Sequence, residues 1–293
     1  MNILFLIIGL LLLLFIYLLI KVRKGTGLLK SSIMFLSAFL IIVIAFIFEN
    51  SKTTHIANAV ESIKLLWVQT PVEKTNTLLD KHSAISIIKI KDEVLLDAPA
   101  INQFPELPRG CEVTSLAMLL QYTGINVDKM TLAEKVKKDP TPYKVENGKV
   151  YFGHPNVGFV GNMYTFDEKG YGVYHKPIKE LAETYLPNQI TDLTGSGFEE
   201  IKIHLSDDRP VWVITNTTYK KLPKNYFQTW YTPIGEVNIT LKEHSVLITG
   251  YDQQFIYFND PLTGEKNKKA PLVDFEESWV QMGRQAITYL PKE

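Results

Sequence analysis

The chain holds a single cysteine, Cys111, within "RGCEVTSLAMLLQYTG" at 109–124, where a loop gives way to a helix-like run. A thiolate is a nucleophile, and its pKa falls at a helix N-terminus or beside an imidazolium. A buried thiol, by contrast, is a small core hydrophobe. His244 opens a second run, "HSVLITGY", 133 residues later, and Asp260 lies near the end of a third, "FIYFNDP". These two runs flank "DQQ" and read as strands of an antiparallel hairpin. Folding about residues 252–254 sets Asp260 opposite His244, give or take two residues. Facing residues in such a pair stand about 4.5–5.5 Å apart at Cβ. A one-residue slip sends the two side chains to opposite faces.

Together these residue types describe nucleophilic acyl transfer. Cys111 would attack, His244 would move the proton, and Asp260 would fix the imidazole tautomer. An oxyanion needs donors, which the Cys111 N–H and the amide of Gln103, eight residues upstream, can supply. On this reading the thiol is substantially ionised near neutral pH. Each residue also has a plainer use. His244 would be a core histidine, Asp260 a turn former and Gln103 a surface amide. His154 and His175 are rival bases, but neither precedes a hairpin that returns a carboxylate.

Other classes fall away. Basic and acidic residues balance at 31 each, so nothing favours nucleic acid. One cysteine excludes an internal disulfide framework or a multi-cysteine zinc site, and no His/Glu cluster has zinc spacing. No glycine fingerprint for phosphate occurs, so neither metal nor organic cofactor is expected. Gly148, Gly153, Gly158, Gly161, Gly170 and Gly172 punctuate a long loop region, either a cleft wall or ordinary turns. "EKNKK" at 265–269 reads as a solvated turn.

The elements that must position these groups are helices first and strands later, an α+β arrangement. Val113, Leu116, Ala117 and Leu120 make an apolar helical stripe that Gly124 ends. "TLAE" at 131–134 and "SGFE" at 196–199 read as capping boxes, and Pro177 as the first residue of a helix. Strands are expected at 210–216, 244–251 and 255–261.

"INQFPELPRGCEVTSLAMLLQYTG", "GHPNVGFVGNMYTF" and "EHSVLITGYDQQFIYFNDPLTG" together resemble the C39-like family of papain-fold cysteine peptidases, over about residues 93–289. The separation of 133 residues between cysteine and histidine agrees with the roughly 130–150 of papain-like enzymes. The resemblance implies a papain-like fold, with the cysteine helix packed on an antiparallel sheet that carries histidine and aspartate. It implies Cys111 as nucleophile, His244 as general base and acid, Asp260 as orienting group and Gln103 as oxyanion donor. The substrate would be a peptide or related amide. Bacteriocin-leader peptidases of this superfamily carry glycine where Glu112 stands, and place glutamine six residues before the cysteine rather than eight. Their double-glycine specificity is therefore not carried over.

Ile3–Ile20 and Ser31–Phe48 are uncharged apolar runs of 18 residues each. Each is long enough to span a bilayer. Lys21, Arg23, Lys24 and Lys30 lie between them, so the positive-inside rule puts the loop in the cytoplasm and all that follows outside. The expected organisation is a transmembrane hairpin at 1–48, a stem at 49–91 and a C39-like domain at 92–293. Cleavage near "ANA" at 57–59 is the alternative to a retained anchor. The function expected is an extracytoplasmic, membrane-anchored cysteine peptidase. A transacylase, a wall-peptide amidase or an inactive peptide-binding module remain open.

Overall fold

The computed structural model describes residues 90–290. The apolar runs at 3–20 and 31–48, and the stem up to residue 89, lie outside them. Among the described residues no helix is long and apolar enough to cross a membrane. The site candidates all belong to one compact unit. Lys91, placed in the stem from sequence, is already docked: its N–H donates to Ser206 Oγ and its carbonyl accepts from the Tyr251 hydroxyl.

In chain order the strands are β1 Val94–Leu95, β2 Lys138–Asp139, β3 Lys144–Glu146, β4 Lys149–Tyr151, β5 Phe159–Val160, β6 Ile190–Asp192, β7 Val211–Asn216, β8 Phe227–Thr232, β9 Gly235–Thr240, β10 Glu243–Tyr251, β11 Phe255–Asp260, β12 Glu265–Pro271 and β13 Ala286–Tyr289. The helices are α1 Cys111–Tyr122, α2 Lys129–Lys135, α3 His175–Glu183, α4 Phe198–Ser206 and α5 Leu272–Gln281. The principal sheet runs β12-β11-β10-β7-β13-β6, with β1 added on β10. All its pairings are antiparallel. A smaller sheet, β3-β4-β8-β9, was not expected from sequence.

Strand alternation sorts the core into two layers. Trp212, Ile214 and Leu247 pack with α1, α2 and α3, while Val211, Val213, Val246 and Ile248 pack with α4 and α5. The period of two along β7 therefore sends successive residues to opposite helical layers.

Helix α1 departs from the expected stripe, because every residue from Cys111 to Leu120 is buried. A helix enclosed on all sides needs its polar groups satisfied inside. The Trp212 indole N–H donates to the Glu112 carbonyl at 3.0 Å, and Ser115 Oγ donates to the Ser245 carbonyl at 3.2 Å. These bonds tie the helix start to β7 and β10. Gly110 precedes Cys111 because a Cβ there would stand 2.5 Å from Leu107 Cβ. Gly124, at φ +88°, ends the helix as expected.

The other cap expectations need correction. Asp128, not Thr131, caps α2, accepting the Thr131 N–H at 2.8 Å. Gly197 precedes α4 with no side-chain cap, so "SGFE" forms no box. Pro177 is the third residue of α3 rather than the first. Its missing N–H still falls within the first turn, where no partner exists.

The hairpin of β10 and β11 contains the decisive irregularity. Tyr251 faces Ile256 and Gly250 faces Tyr257, but Ile248 then faces Phe258 and Leu247 faces Asn259. Thr249 is the extra residue of a bulge. Without it the register would carry Asp260 to Leu247; with it Asp260 comes level with Val246. His244 and Val246 share a face, so His244 and Asp260 become diagonal neighbours, about 7–8 Å apart in this kind of pairing. The offset is the full two residues allowed from sequence.

Asn259, fully buried, clamps the segment before Gln103 to this sheet. Its Nδ2 donates to the Ala98 and Pro99 carbonyls at 3.0 and 2.9 Å, and its Oδ1 accepts the Asn267 N–H at 2.9 Å. Asn259→Ala should strand all three partners, at about 1–3 kcal/mol for each buried group left unsatisfied. We expect a fall of about 2–4 kcal/mol in urea-unfolding stability, given partial relaxation. A change below 0.5 kcal/mol, the range of ordinary surface substitutions, would show that the clamp is not structural.

Candidate functional site

Cys111 is the first residue of α1, so its N–H has no intrahelical partner. Cys111, His244 and Gln103 line one cleft of about 430 Å³ between the principal sheet and the smaller one. His244 is 2% exposed and its Nε2 lies 2.8 Å from Asp260 Oδ1. A carboxylate can only accept, so Nε2 carries the proton and Nδ1 is the ring nitrogen left to accept one. Asp260 lies behind the histidine at 1% exposure.

Asp260 is the most heavily bonded side chain of the site. Oδ1 also accepts the Leu262 N–H at 2.9 Å. Oδ2 accepts from the Tyr219 hydroxyl at 2.8 Å, Thr263 Oγ1 at 3.0 Å and Lys268 Nζ at 2.8 Å. Burial pushes its carboxyl up, but the His244 bond and charge, then Lys268 and Tyr219, hold it well below the usual carboxylate range. A depressed acid stabilises the fold fully above its unfolded value of about 3.9, and that contribution is lost as pH falls below it.

Sequence reasoning missed two of these partners. Lys268 belongs to "EKNKK", which is not a solvated turn but most of β12. Tyr219 sits at φ +53° in the turn after β7, tilted against Phe258 and stacked parallel to Phe275. Burial and the Asp260 charge push its hydroxyl far up, so it stays a donor. His175 acquires a carboxylate, Asp192 at 3.0 Å, but from β6, which follows α3 and is not the return strand of a hairpin. Neither residue lines the Cys111 cleft. His154 is not there either; its Nδ1 accepts the Asn156 N–H.

Gln103 reaches the cleft, but its Nε2 donates to the Leu107 and Pro108 carbonyls at 3.1 and 2.9 Å. Its Oε1 is buried without a partner among the described residues. The amide thus braces the loop leading to Cys111. The glycine-punctuated segment supplies Lys169, Gly170 and Tyr171 as cleft wall.

The thiol corrects a further expectation. Cys111 Sγ donates to Glu112 Oε2 at 3.3 Å. Ligand atoms of Cys111, Glu112 and Glu243 all lie within 4.8 Å of one another. Burial pushes the thiol well up, and the Glu112 and Glu243 carboxyls push it further, while the Ser245 N–H acts the other way. Burial also raises Glu112 to about 7, and raises Glu243 well above its ordinary value with Glu112 adding to the effect. Acids held toward their protonated forms describe a proton-sharing cluster before a metal centre. Gly172 packs where a Cβ would collide with the Glu112 carboxyl. Neither carboxyl was singled out from sequence as part of the site.

Iodoacetamide labelling of folded protein should therefore follow a pH profile above the ordinary thiol value of about 8.5. Glu112→Gln removes a neighbouring negative charge and should shift that profile downward. A wild-type midpoint below 8 would overturn this account.

Comparison with known proteins gives a consistent picture. Residues 95–287 match the Peptidase_C39 like family. YvpB of Bacillus subtilis strain 168, an uncharacterized protein, is 46% identical over 194 residues, covering 66% of this chain and 74% of YvpB. A Bacillus anthracis crystal structure described as C39-like is 50% identical with a TM-score of 0.64, covering 69% of this chain and all of that one. With the cysteine helix, the histidine strand and the matched span in agreement, the chain belongs to the Peptidase_C39 like family.

Proposed function

We propose that this protein is a thiol hydrolase of papain-like fold that cleaves a peptide or related amide bond. The observation that carries the reading is the buried His244–Asp260 pair at 2.8 Å, in the same cleft as a cysteine that begins a helix. His244 Nδ1 takes the thiol proton as Sγ bonds to the carbonyl carbon. The carbonyl oxygen becomes an oxyanion held by the Cys111 N–H, and Gln103 joins when its amide turns from Pro108. The oxyanion collapses, the C–N bond breaks, and the imidazolium gives its proton to the leaving amine. Water, deprotonated by His244, then releases the thioester. The raised thiol supports proton transfer on substrate arrival rather than a standing thiolate–imidazolium pair.

Mass-spectrometric mapping of cuts in a diverse peptide library tests the reading. We expect cuts that Cys111→Ser abolishes while the far-UV circular dichroism is unchanged. Intact peptides throughout would leave a binding module; new amides formed with added amines would make it a transacylase. His244→Ala should lower kcat/KM by at least about 10³-fold, as removal of a triad base does. Asp260→Asn should be nearly as damaging, because an amide N–H would meet donors from Lys268, Tyr219 and Thr263. Lys268→Met should cost less, about 10-fold, the scale of one charge-assisted bond.

The same proposal puts the domain outside the cell, anchored by the runs at 3–20 and 31–48. Its support is their length and the basic loop between them. Protease added to intact spheroplasts should digest the domain. Protection until lysis would refute the orientation.

A further inference from the structure

The cleft holds polar atoms that the chemistry of Cys111, His244 and Asp260 does not use. Glu243 Oε1 and Trp230 Nε1 are both buried with no hydrogen-bond partner among the described residues, and both residues line the cleft. Trp230 is 3% exposed, so solvent does not serve its indole N–H. A buried acceptor and a buried donor left open each carry a desolvation penalty that a suitable ligand removes. At Asp260, by contrast, both carboxylate oxygens are engaged.

The surroundings narrow the ligand. Tyr143, Phe152, Trp230 and Tyr171 form a continuous aromatic wall, with successive ring centroids 5.2, 5.3 and 5.2 Å apart. Ring faces attract cations through their quadrupole. The wall already shows this at its rim, where Lys169 Nζ lies 5.3 Å from the Tyr143 centroid. Arg109 is turned away, bonded to the Asn162 and Thr165 carbonyls and stacked over Phe166. Glu112 is already engaged by the Val173 N–H at 2.7 Å and by the Cys111 thiol. Glu243 is thus the acid left without a partner, on the cleft that these rings line and beside the nucleophile.

We propose that Glu243 and this aromatic wall form a subsite for a positively charged side chain, ammonium or guanidinium, of the residue next to the scissile amide. The inference rests on the hydrolase reading and names its substrate class. The cation would give Glu243 Oε1 the donor it lacks and lie along the ring faces. The Trp230 N–H would meet a substrate carbonyl. Recognition would also move a proton: burial and Glu112 hold the Glu243 carboxyl toward its protonated form, and a bound cation would draw it to the carboxylate.

The test uses full-length Cys111→Ser protein, which cannot turn substrate over, and a set of otherwise identical peptides. Lysine, arginine, norleucine or glutamate is scanned through the positions around one amide. Binding is read by tryptophan fluorescence or calorimetry. At one position lysine or arginine should bind about 10-fold more tightly than norleucine, the scale of a desolvated cation–aromatic contact. Glu243→Gln, close in shape, should collapse that ratio towards one while the thermal midpoint holds. Equal binding of lysine and norleucine at every position would overturn the subsite, as would a preference that survives Glu243→Gln. Wild-type protein is then given the same peptides. Preference without cutting would sink the hydrolase reading alone, and cutting without preference would sink the subsite alone.

Discussion

A side-chain period of two leaves a hairpin no intermediate choice: a residue faces one side of the sheet or the other. The pairing at the closed end of β10 and β11 would have put Asp260 on the face opposite His244. Thr249, inserted as a bulge between Ile248 and Gly250, shifts everything beyond it by one residue. The carboxylate and imidazole then meet at 2.8 Å. The bulge is itself anchored, since the Thr249 carbonyl accepts the Leu96 N–H and its hydroxyl donates to Asn267. Asn267 in turn bonds to Asn259, which holds the strap running toward Gln103 and Cys111. The register of one hairpin and the path of the loop to the nucleophile are thus fixed by one connected set of bonds.

Around Asp260 the charge balance closes. One carboxylate faces Lys268, an imidazole and neutral donors, so ionising it costs little and the histidine tautomer is settled. Around Cys111 it does not close. Two carboxyls share a pocket with the thiol, neither forms an ion pair among the described residues, and every group there is held toward its protonated form. The helix N-terminus still favours negative charge, but that effect is about 0.3–1 kcal/mol at ordinary sites and up to about 2 in partly buried ones. Burial beside two acids outweighs it.

This difference marks how far the sequence could be read. Cys111 at a helix start, His244 and Asp260 on a hairpin and the core strands were legible because each follows from local pattern: a loop-to-helix change, alternation and a short turn. Lys268 was not, because charged residues in β12 alternate with no apolar face and read as a turn. Tyr219 meets Asp260 across 41 residues, a contact no local periodicity encodes. The thiol environment was misread for a related reason. Glu112 stands out in the sequence only as a departure from glycine, and Glu243 carries no local signal of its own. Their meeting depends on α1 packing across β10 and on Gly172 leaving room for both. Cap motifs failed more simply: "TLAE" has an aspartate three residues ahead of its threonine that makes the better cap.

Open buried polar atoms occur at several places, Thr114 Oγ1, Ser245 Oγ and both His204 ring nitrogens among them, but the groups behind His244 are all engaged. Asn259 and Asp260, behind the histidine, have every acceptor engaged. Glu243 Oε1, Trp230 Nε1 and Gln103 Oε1, all on the cleft, are open among the described residues. Leaving them open keeps a desolvation cost in the empty protein that a ligand with matching donors and acceptors removes. The rigid pair that moves protons is separated in this way from the unsatisfied groups that meet the substrate. The first must be identical before and after each turnover; the second does its part only when the cleft is filled.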